Sequence, residues 1–214
     1  MFMPGQGVLG KNRIEALTDG VYAIALTLGV LTIDISEIPS PDTLDNGIYG
    51  SLSVVFPQVF YYAIAFFVLV SFWMAHHRMM DSIKYVDNIF NWMNMIVLFF
   101  VALVPFTTDF MGYYDDYALA VEVYALNLLI IGLIQTASWH YISSKKDYLK
   151  DNISCDSLLG FKLRGLVCPA ASLVVIAYAW LFSPQYATLL FLLIPVFDVF
   201  VSRHIKSVCF ENNA

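Results

Sequence analysis

The chain has little of the charge that keeps a soluble protein in water. Charged residues make up 13% of its 214 residues and hydrophobic residues 59%, against roughly 25% and 45–50% in soluble globular proteins. A soluble helical bundle would need helices with a polar face, and the long apolar runs of this chain lack one. The composition therefore predicts a protein of the lipid bilayer, with lipid as its main surroundings.

Patterns typical of nucleic-acid-binding proteins, metalloproteins and common enzymes are also absent from the sequence. There is no basic stripe and the formal net charge is −6, so we expect no nucleic-acid partner. The 3 cysteines lack CxxC spacing and favour free thiols over a disulfide framework. The chain has no GxSxG, HExxH or glycine-rich phosphate motif. We expect no enzyme activity, no cofactor and no bound metal.

What the sequence does contain is apolar runs of about 20 residues, the length that crosses a bilayer as a helix. Six such runs predict an all-α polytopic membrane protein that forms a single transmembrane domain over residues 1–214. Breakers such as Ser183-Pro184 separate the runs. The predicted spans are 17–35, 54–75, 89–107, 118–141, 166–182 and 187–201.

The basic residues predict how these spans are oriented. All 11 Lys and Arg fall before span one, between spans two and three, between four and five, or after six, which is one side of the membrane. The positive-inside rule makes that side cytoplasmic, so we expect a multi-pass plasma-membrane protein with both termini in the cytoplasm. The opposite loops are acidic. Among their residues, Asp34 is expected either to attract cations to an external mouth or to be an ordinary solvated loop residue.

Span one carries a narrow aliphatic stripe with a hydroxyl beside it. Ile24, Leu28 and Leu31 recur at i, i+4 and i+7, within about 60° of one another around a helix. Such a stripe in a membrane helix is more often a packing surface than the lining of a pore. Thr27 lies one turn from Leu31, and its hydroxyl most commonly bonds to the backbone of its own helix. These residues alone leave both interpretations open.

Asp19 also lies inside span one, about 9 Å along the helix from Arg13. A carboxylate at that depth is costly and needs a partner. It points about 140° away from the Ile24 line, so we expect it to face its own subunit as a structural anchor. The candidate partners, at the end of span two, are His76, His77 and Arg78.

Two blocks of the sequence resemble a known family. The first is Arg13-Ile-Glu-Ala-Leu-Thr-Asp19-Gly-Val-Tyr-Ala-Ile24-Ala-Leu-Thr27-Leu28-Gly-Val-Leu31. The second is Trp73-Met-Ala-His76-His77-Arg78, followed by Asn94 and by Pro105-Phe106-Thr107-Thr108. The first resembles the first-helix signature of prokaryotic relatives of the endolysosomal potassium channel family, transmembrane protein 175, which has an Arg, then Phe-Ser-Asp-Gly, Ala-Ile-Ala and Thr-Leu. The second resembles the end of that family's span two and its span three.

The resemblance implies a homotetramer in which the first helices line a central pore. The positions that match the family's constriction and selectivity layer are Ile24, Thr27, Leu28 and Leu31. Those that match its polar network, which ties the first helix to spans two and three, are Arg13, Thr18, Asp19 and His77. Three positions depart from the pattern: Leu17 replaces Phe, Thr18 replaces Ser, and Gly29 replaces a bulkier aliphatic residue. A glycine at that point predicts a looser or bent span one.

The expected function is a potassium-preferring cation channel, with the potassium ion as the permeant species. Because the chain has no TVGYG filter, selectivity is expected at a hydrophobic constriction where an ion loses part of its hydration shell. One alternative is a secondary cation or proton transporter that uses Asp19. Another is a purely structural membrane protein, which would form specific oligomers and carry no ion flux.

Overall fold

The computed structural model describes residues 10–33, 48–150, 155–197 and 199–201, and within these ranges the chain is almost entirely helical. The helices are α1 (Lys11–Leu28), α2 (Ile48–Ser82), α3 (Asn88–Tyr113), α4 (Ala118–Ser143), α5 (Cys155–Leu181) and α6 (Pro184–Leu189). Short 3₁₀ segments, Gly29–Thr32 and Leu190–Leu192, continue α1 and α6. The predicted all-α class is confirmed. Asp34 lies outside the described residues.

Several helices have the length and composition of membrane spans. Over the described residues, the segments that qualify are Lys11–Thr32, Val55–Ser82, Asn88–Tyr113, Ala118–Ser143 and Pro184–Val201, while Gly165–Leu181 is apolar but shorter. Each predicted span overlaps a helix, and the predicted polytopic membrane architecture is confirmed. The number of crossings stays a prediction. The bounds differ at α2, where the helix continues past the predicted end at residue 75 through a polar stretch to Ser82.

The centre of the bundle is built around α4, which packs between α3 and α5. Tyr124, Leu128 and Ile131 are fully buried there. At Gly132 the two helices meet so closely that an added Cβ would lie 2.9 Å from the Pro169 Cδ of α5. A small residue at this crossing lets the backbones approach, which is how helices associate where lipid removes the hydrophobic driving force.

One end of the bundle, called here the basic end, holds the start of α1 and the loops after α2 and α4. These segments are joined through the backbone: the Lys84 N–H donates to the Tyr148 carbonyl at 2.7 Å, and the Lys150 N–H donates to the Ser82 carbonyl at 3.1 Å. Lys11 Nζ donates to the Ile83 carbonyl at 2.9 Å. The bonds hold the start of α1 in a fixed position relative to α2.

Asp87 ties this end together electrostatically. As the N-cap of α3 it accepts the Phe90 N–H at 2.9 Å, and its other oxygen accepts from Lys145 Nζ at 2.7 Å and from the Tyr141 hydroxyl at 2.6 Å. Burial favours the neutral acid, but the hydrogen bonds from Lys145, Phe90 and Tyr141 outweigh it and hold the pKa of Asp87 below its usual value. The bond to Asp87 in turn raises the pKa of Lys145. The pair is therefore ionised at neutral pH and joins α3 to the end of α4.

We predict that Asp87→Asn lowers the melting temperature of the purified protein by a few degrees at pH 7. We also expect the melting temperature of the variant to change less than that of wild type as the pH falls. A carboxylate with a lowered folded pKa stabilises the protein above its unfolded pKa of about 3.9, and this stabilisation is lost as the pH falls through the folded pKa. Thermal unfolding in detergent between pH 7 and pH 3 measures the effect. The matched control is Asp147→Asn, a change at an exposed carboxylate of the neighbouring loop. Equal pH profiles for wild type and Asp87→Asn would contradict the prediction.

Candidate functional site

The two sides of α1 have different surroundings. One side is buried against the rest of the chain and consists of Ile14, Thr18, Tyr22 and Ala25. The other side carries the predicted stripe, and its exposed fractions are 45% at Leu17, 58% at Ile24, 43% at Leu28 and 75% at Leu31. Much of the stripe is therefore not covered by the described part of its own chain. A face of this kind is open to lipid or to another subunit.

Thr27 lies beside the stripe and is also exposed. Its hydroxyl donates to the backbone carbonyls of Ala23 and Ile24, each at 3.0 Å, which is the common arrangement for a threonine within a membrane helix. Because the proton is engaged in the helix, the oxygen lone pairs are what the side chain offers to its exposed surroundings. An oxygen with free lone pairs of this kind can contact a cation.

A buried hydrogen bond fixes how α1 is turned. Thr18 is fully buried, and its Oγ accepts from Asn94 Nδ2 of α3 at 3.0 Å. Neither group has an alternative partner in lipid, so rotation of α1 about its axis would leave a polar group unsatisfied. The bond therefore holds Thr18 toward α3 and the stripe away from it.

Asp19 is exposed but is hydrogen-bonded to α2 of its own chain. Its carboxylate accepts from the indole Nε1 of Trp73 at 2.8 Å, a donor that was not among the expected partners His76, His77 and Arg78. Trp73 stacks on His77 with ring centroids 5.7 Å apart, and His77 Nε2 lies 3.6 Å from Asp81. His77 thus supports Asp19 through the indole ring.

Arg13, the remaining member of the predicted network, lies exposed two residues after the start of α1. The network that the structure assembles around α1 therefore consists of Thr18, Asp19, Trp73, Asn94 and the stacked His77. Its members come from the first three helices.

Two further polar contacts to α1 were not predicted from the sequence. The Tyr22 hydroxyl accepts from Gln135 Nε2 of α4 at 3.0 Å, and the Tyr62 hydroxyl of α2 donates to the Leu26 carbonyl at 3.2 Å. A lone amide such as Gln135 within a long apolar run is the signal that would have indicated the first contact. Tyr62 belongs to an aromatic run and carries no such signal.

The opposite end of the bundle, called here the acidic end, holds Asp109, Asp115 and Asp116. A cavity of about 710 Å³ opens there beside Leu31, lined by polar groups that include Gln58, Tyr61 and Asp109. The Tyr61 hydroxyl bonds to Asp115 Oδ2 at 3.0 Å. The end of the aliphatic stripe is thus close to a polar, acidic surface.

The segment that holds this site is similar to a described family. The family model for the endosomal/lysosomal potassium channel TMEM175 matches residues 13–105, a range that contains every predicted site residue. A potassium channel of Streptomyces collinus is 31% identical over 137 residues, which is 62% of this chain and 65% of the relative. A potassium channel of Chamaesiphon minutus is 31% identical over 136 residues, 62% of this chain and 66% of the relative. The chain thus matches slightly less than two thirds of the length of each relative.

The fold is similar to a solved structure over nearly its full length. The crystal structure of a lysosomal potassium-selective channel TMEM175 homolog from Chamaesiphon minutus aligns with a TM-score of 0.73 at 25% identity. The alignment covers 90% of this chain and 97% of that one. The arrangement of helices is therefore shared beyond the segment that the family model matches.

We predict that Thr18→Val lowers the free energy of unfolding by about 1–3 kcal/mol, because Asn94 is left buried without its acceptor. Thr27→Val is the matched control on the same helix: its hydroxyl is exposed and bonds only within α1, so the expected change is within about 0.5 kcal/mol. Unfolding of the purified variants in detergent provides the comparison. Similar losses in the two variants would show that the Thr18–Asn94 bond does not hold α1.

Proposed function

We propose that this chain is a member of the TMEM175 family of ion channels, to which residues 13–105 and two potassium channels are similar, and that it is a potassium-permeable channel. The observation that carries the proposal is the exposed aliphatic face of α1, with Ile24, Leu28 and Leu31 turned away from the rest of the chain. One helix per chain cannot enclose a conduit. The channel is therefore an oligomer with α1 next to the symmetry axis, and four copies is the proposed number.

Selectivity follows from what the constriction lacks. Rings of Ile24, Leu28 and Leu31 offer no oxygen ligand, so a cation that passes them must give up part of its water without replacement. Potassium holds its hydration water less tightly than sodium. The free-energy cost of partial dehydration is therefore lower for potassium. The oxygen of Thr27 lies beside the narrow segment and lowers the cost for a partly dehydrated ion. No cofactor is needed, and potassium is the permeant ion.

The charge distribution supports an orientation in the cell membrane. Since the basic end carries Lys11, Lys84 and Lys145, we propose that it faces the cytoplasm together with both termini. The acidic end then faces outward, and its carboxylates raise the local cation concentration near Leu31. Asp34 is proposed as part of this mouth on its sequence position alone.

The polar network is proposed as an anchor and not as a transport site. Asp19 accepts a hydrogen bond from Trp73 and lies about 140° around the helix from Ile24. A transporter that used Asp19 would need that carboxylate to exchange partners with each cycle. The existing bond favours a fixed role, so the channel is the preferred function.

The test is ion flux through the purified protein in liposomes, with potassium and sodium compared and the mass of the oligomer measured. We expect an electrogenic potassium flux that needs no coupled ion gradient. Ile24→Asn should increase conductance and reduce the preference for potassium several-fold, because a polar amide replaces the aliphatic ring. The matched control is Ile89→Asn on α3, where the same residue type is 56% exposed against 58% at Ile24.

Three results would contradict the proposal. Flux that requires a counter-ion gradient would indicate a transporter. A defined oligomer without flux would indicate a structural protein. Unchanged conductance and reversal potential in Ile24→Asn would show that the α1 stripe does not line the pathway.

A further inference from the structure

The helix that bears the stripe changes its geometry before it ends. α1 is α-helical through Leu28, and Gly29–Thr32 is a 3₁₀ helix. Gly29 has φ −57° and ψ −25°, which any residue can adopt, so a glycine is not needed for the backbone conformation. The reason for a glycine must lie in its surroundings.

Those surroundings are the ring of Tyr62. A Cβ added at Gly29 would lie 2.9 Å from both Cδ2 and Cε2 of that ring, which is closer than carbon atoms pack. The Tyr62 hydroxyl donates to the Leu26 carbonyl, and its ring meets Phe66 edge-on at 5.9 Å. The tyrosine is thus held on both sides, and the glycine lets α1 lie directly on its ring.

The 3₁₀ turn has a direct effect on the stripe. In an α-helix Leu31 would lie about 60° around the axis from Leu28. At three residues per turn, side chains at i and i+3 eclipse, so Leu31 is brought into line with Leu28. The longer rise of about 2.0 Å per residue also carries it further along the axis.

We propose that the Gly29–Tyr62 contact positions Leu31, and that it thereby sets the width of the constriction at the acidic end. The inference rests on the proposed channel function. Gly29 lies about 140° around the helix from Ile24, so it faces away from the axis. A side chain at Gly29 would push this turn off Tyr62 and move Leu31 toward the axis. Gly29 and Tyr62 are positioning residues, since neither touches the permeant ion.

The experiment measures potassium conductance and the potassium-to-sodium permeability ratio of the full-length channel in bilayers. Gly29→Ala should reduce potassium conductance about tenfold, which corresponds to about 1.4 kcal/mol of added barrier. Tyr62→Ala should act in the opposite direction, with higher conductance and a lower permeability ratio, because the turn can then settle against α2. Combining the two substitutions should restore conductance toward that of wild type, a rescue that a general loss of folding would not give.

The matched control is Gly112→Ala on α3. An added Cβ there would lie 3.1 Å from the ring of Tyr61, so the substitution makes the same kind of contact with the neighbouring tyrosine of α2. We expect reduced stability in this control and an unchanged permeability ratio, because α3 does not carry the stripe.

If the wild type conducts potassium and Gly29→Ala has the same conductance and permeability ratio, this inference is wrong and the proposed channel function still stands. Loss of conductance that Tyr62→Ala does not relieve would overturn it as well. If Gly29→Ala fails to assemble, the test is Tyr62→Ala alone. Conductance and selectivity equal to those of wild type in Tyr62→Ala would then contradict the inference. A wild-type chain that carries no potassium would overturn the proposed function itself.

Discussion

The rotational setting of α1 about its own axis is the constraint on which the rest of this structure depends. In a bilayer an aliphatic face gains little by choosing protein over lipid, so hydrophobicity alone cannot decide which side of the helix turns inward. Hydrogen bonds can decide it, because a polar group turned into hydrocarbon has no substitute partner. The bonds of Thr18 to Asn94 and of Asp19 to Trp73 reach α3 and α2 respectively. Together these two hydrogen bonds fix the rotation of α1 about its own axis.

The exposed stripe is the consequence of that setting. With Thr18 turned into the bundle and the exposed Asp19 bound to Trp73 of α2, Ile24 and Leu28 are left on the outer surface of the chain. Their exposure in a single chain is what the proposed axis-lining helix requires, since in the proposed oligomer the other copies supply the rest of the wall. The orientation of the stripe residues therefore depends on the anchor residues, although the two sets do not need to be in contact. In the proposed channel, a substitution in the anchor would act on the pore through the rotation of α1.

The all-α membrane class and the face of the stripe could be predicted from the sequence, because both follow from hydropathy and from the helical period of one segment. The need of Asp19 for a hydrogen-bond partner at the end of span two was predictable in the same way. Its donor was not: Trp73 and the histidines lie within one turn of each other on α2, and only the packed helix decides which of them reaches the carboxylate. The Tyr62–Leu26 bond could not be predicted, because it joins residues 36 positions apart in the chain. The expected loosening or bending of span one at Gly29 stays a prediction; what the structure shows there is a 3₁₀ turn against the ring of Tyr62.

The two ends of α1 are held by different kinds of contact, and this difference has a mechanical consequence. At the basic end the start of the helix is fixed by two polar bonds, which are short-ranged and directional: Lys11 donates to the Ile83 carbonyl, and Thr18 accepts from Asn94. Beyond Leu28 the chain packs against α3 and on the ring of Tyr62 of α2, in a 3₁₀ turn whose hydrogen bonds have poorer geometry. Displacing the second part costs less than displacing the first. Of the aliphatic residues on the stripe, Leu31 is therefore the one whose distance from the axis responds most readily to changes in packing, whereas Ile24 keeps the position that the anchor gives it.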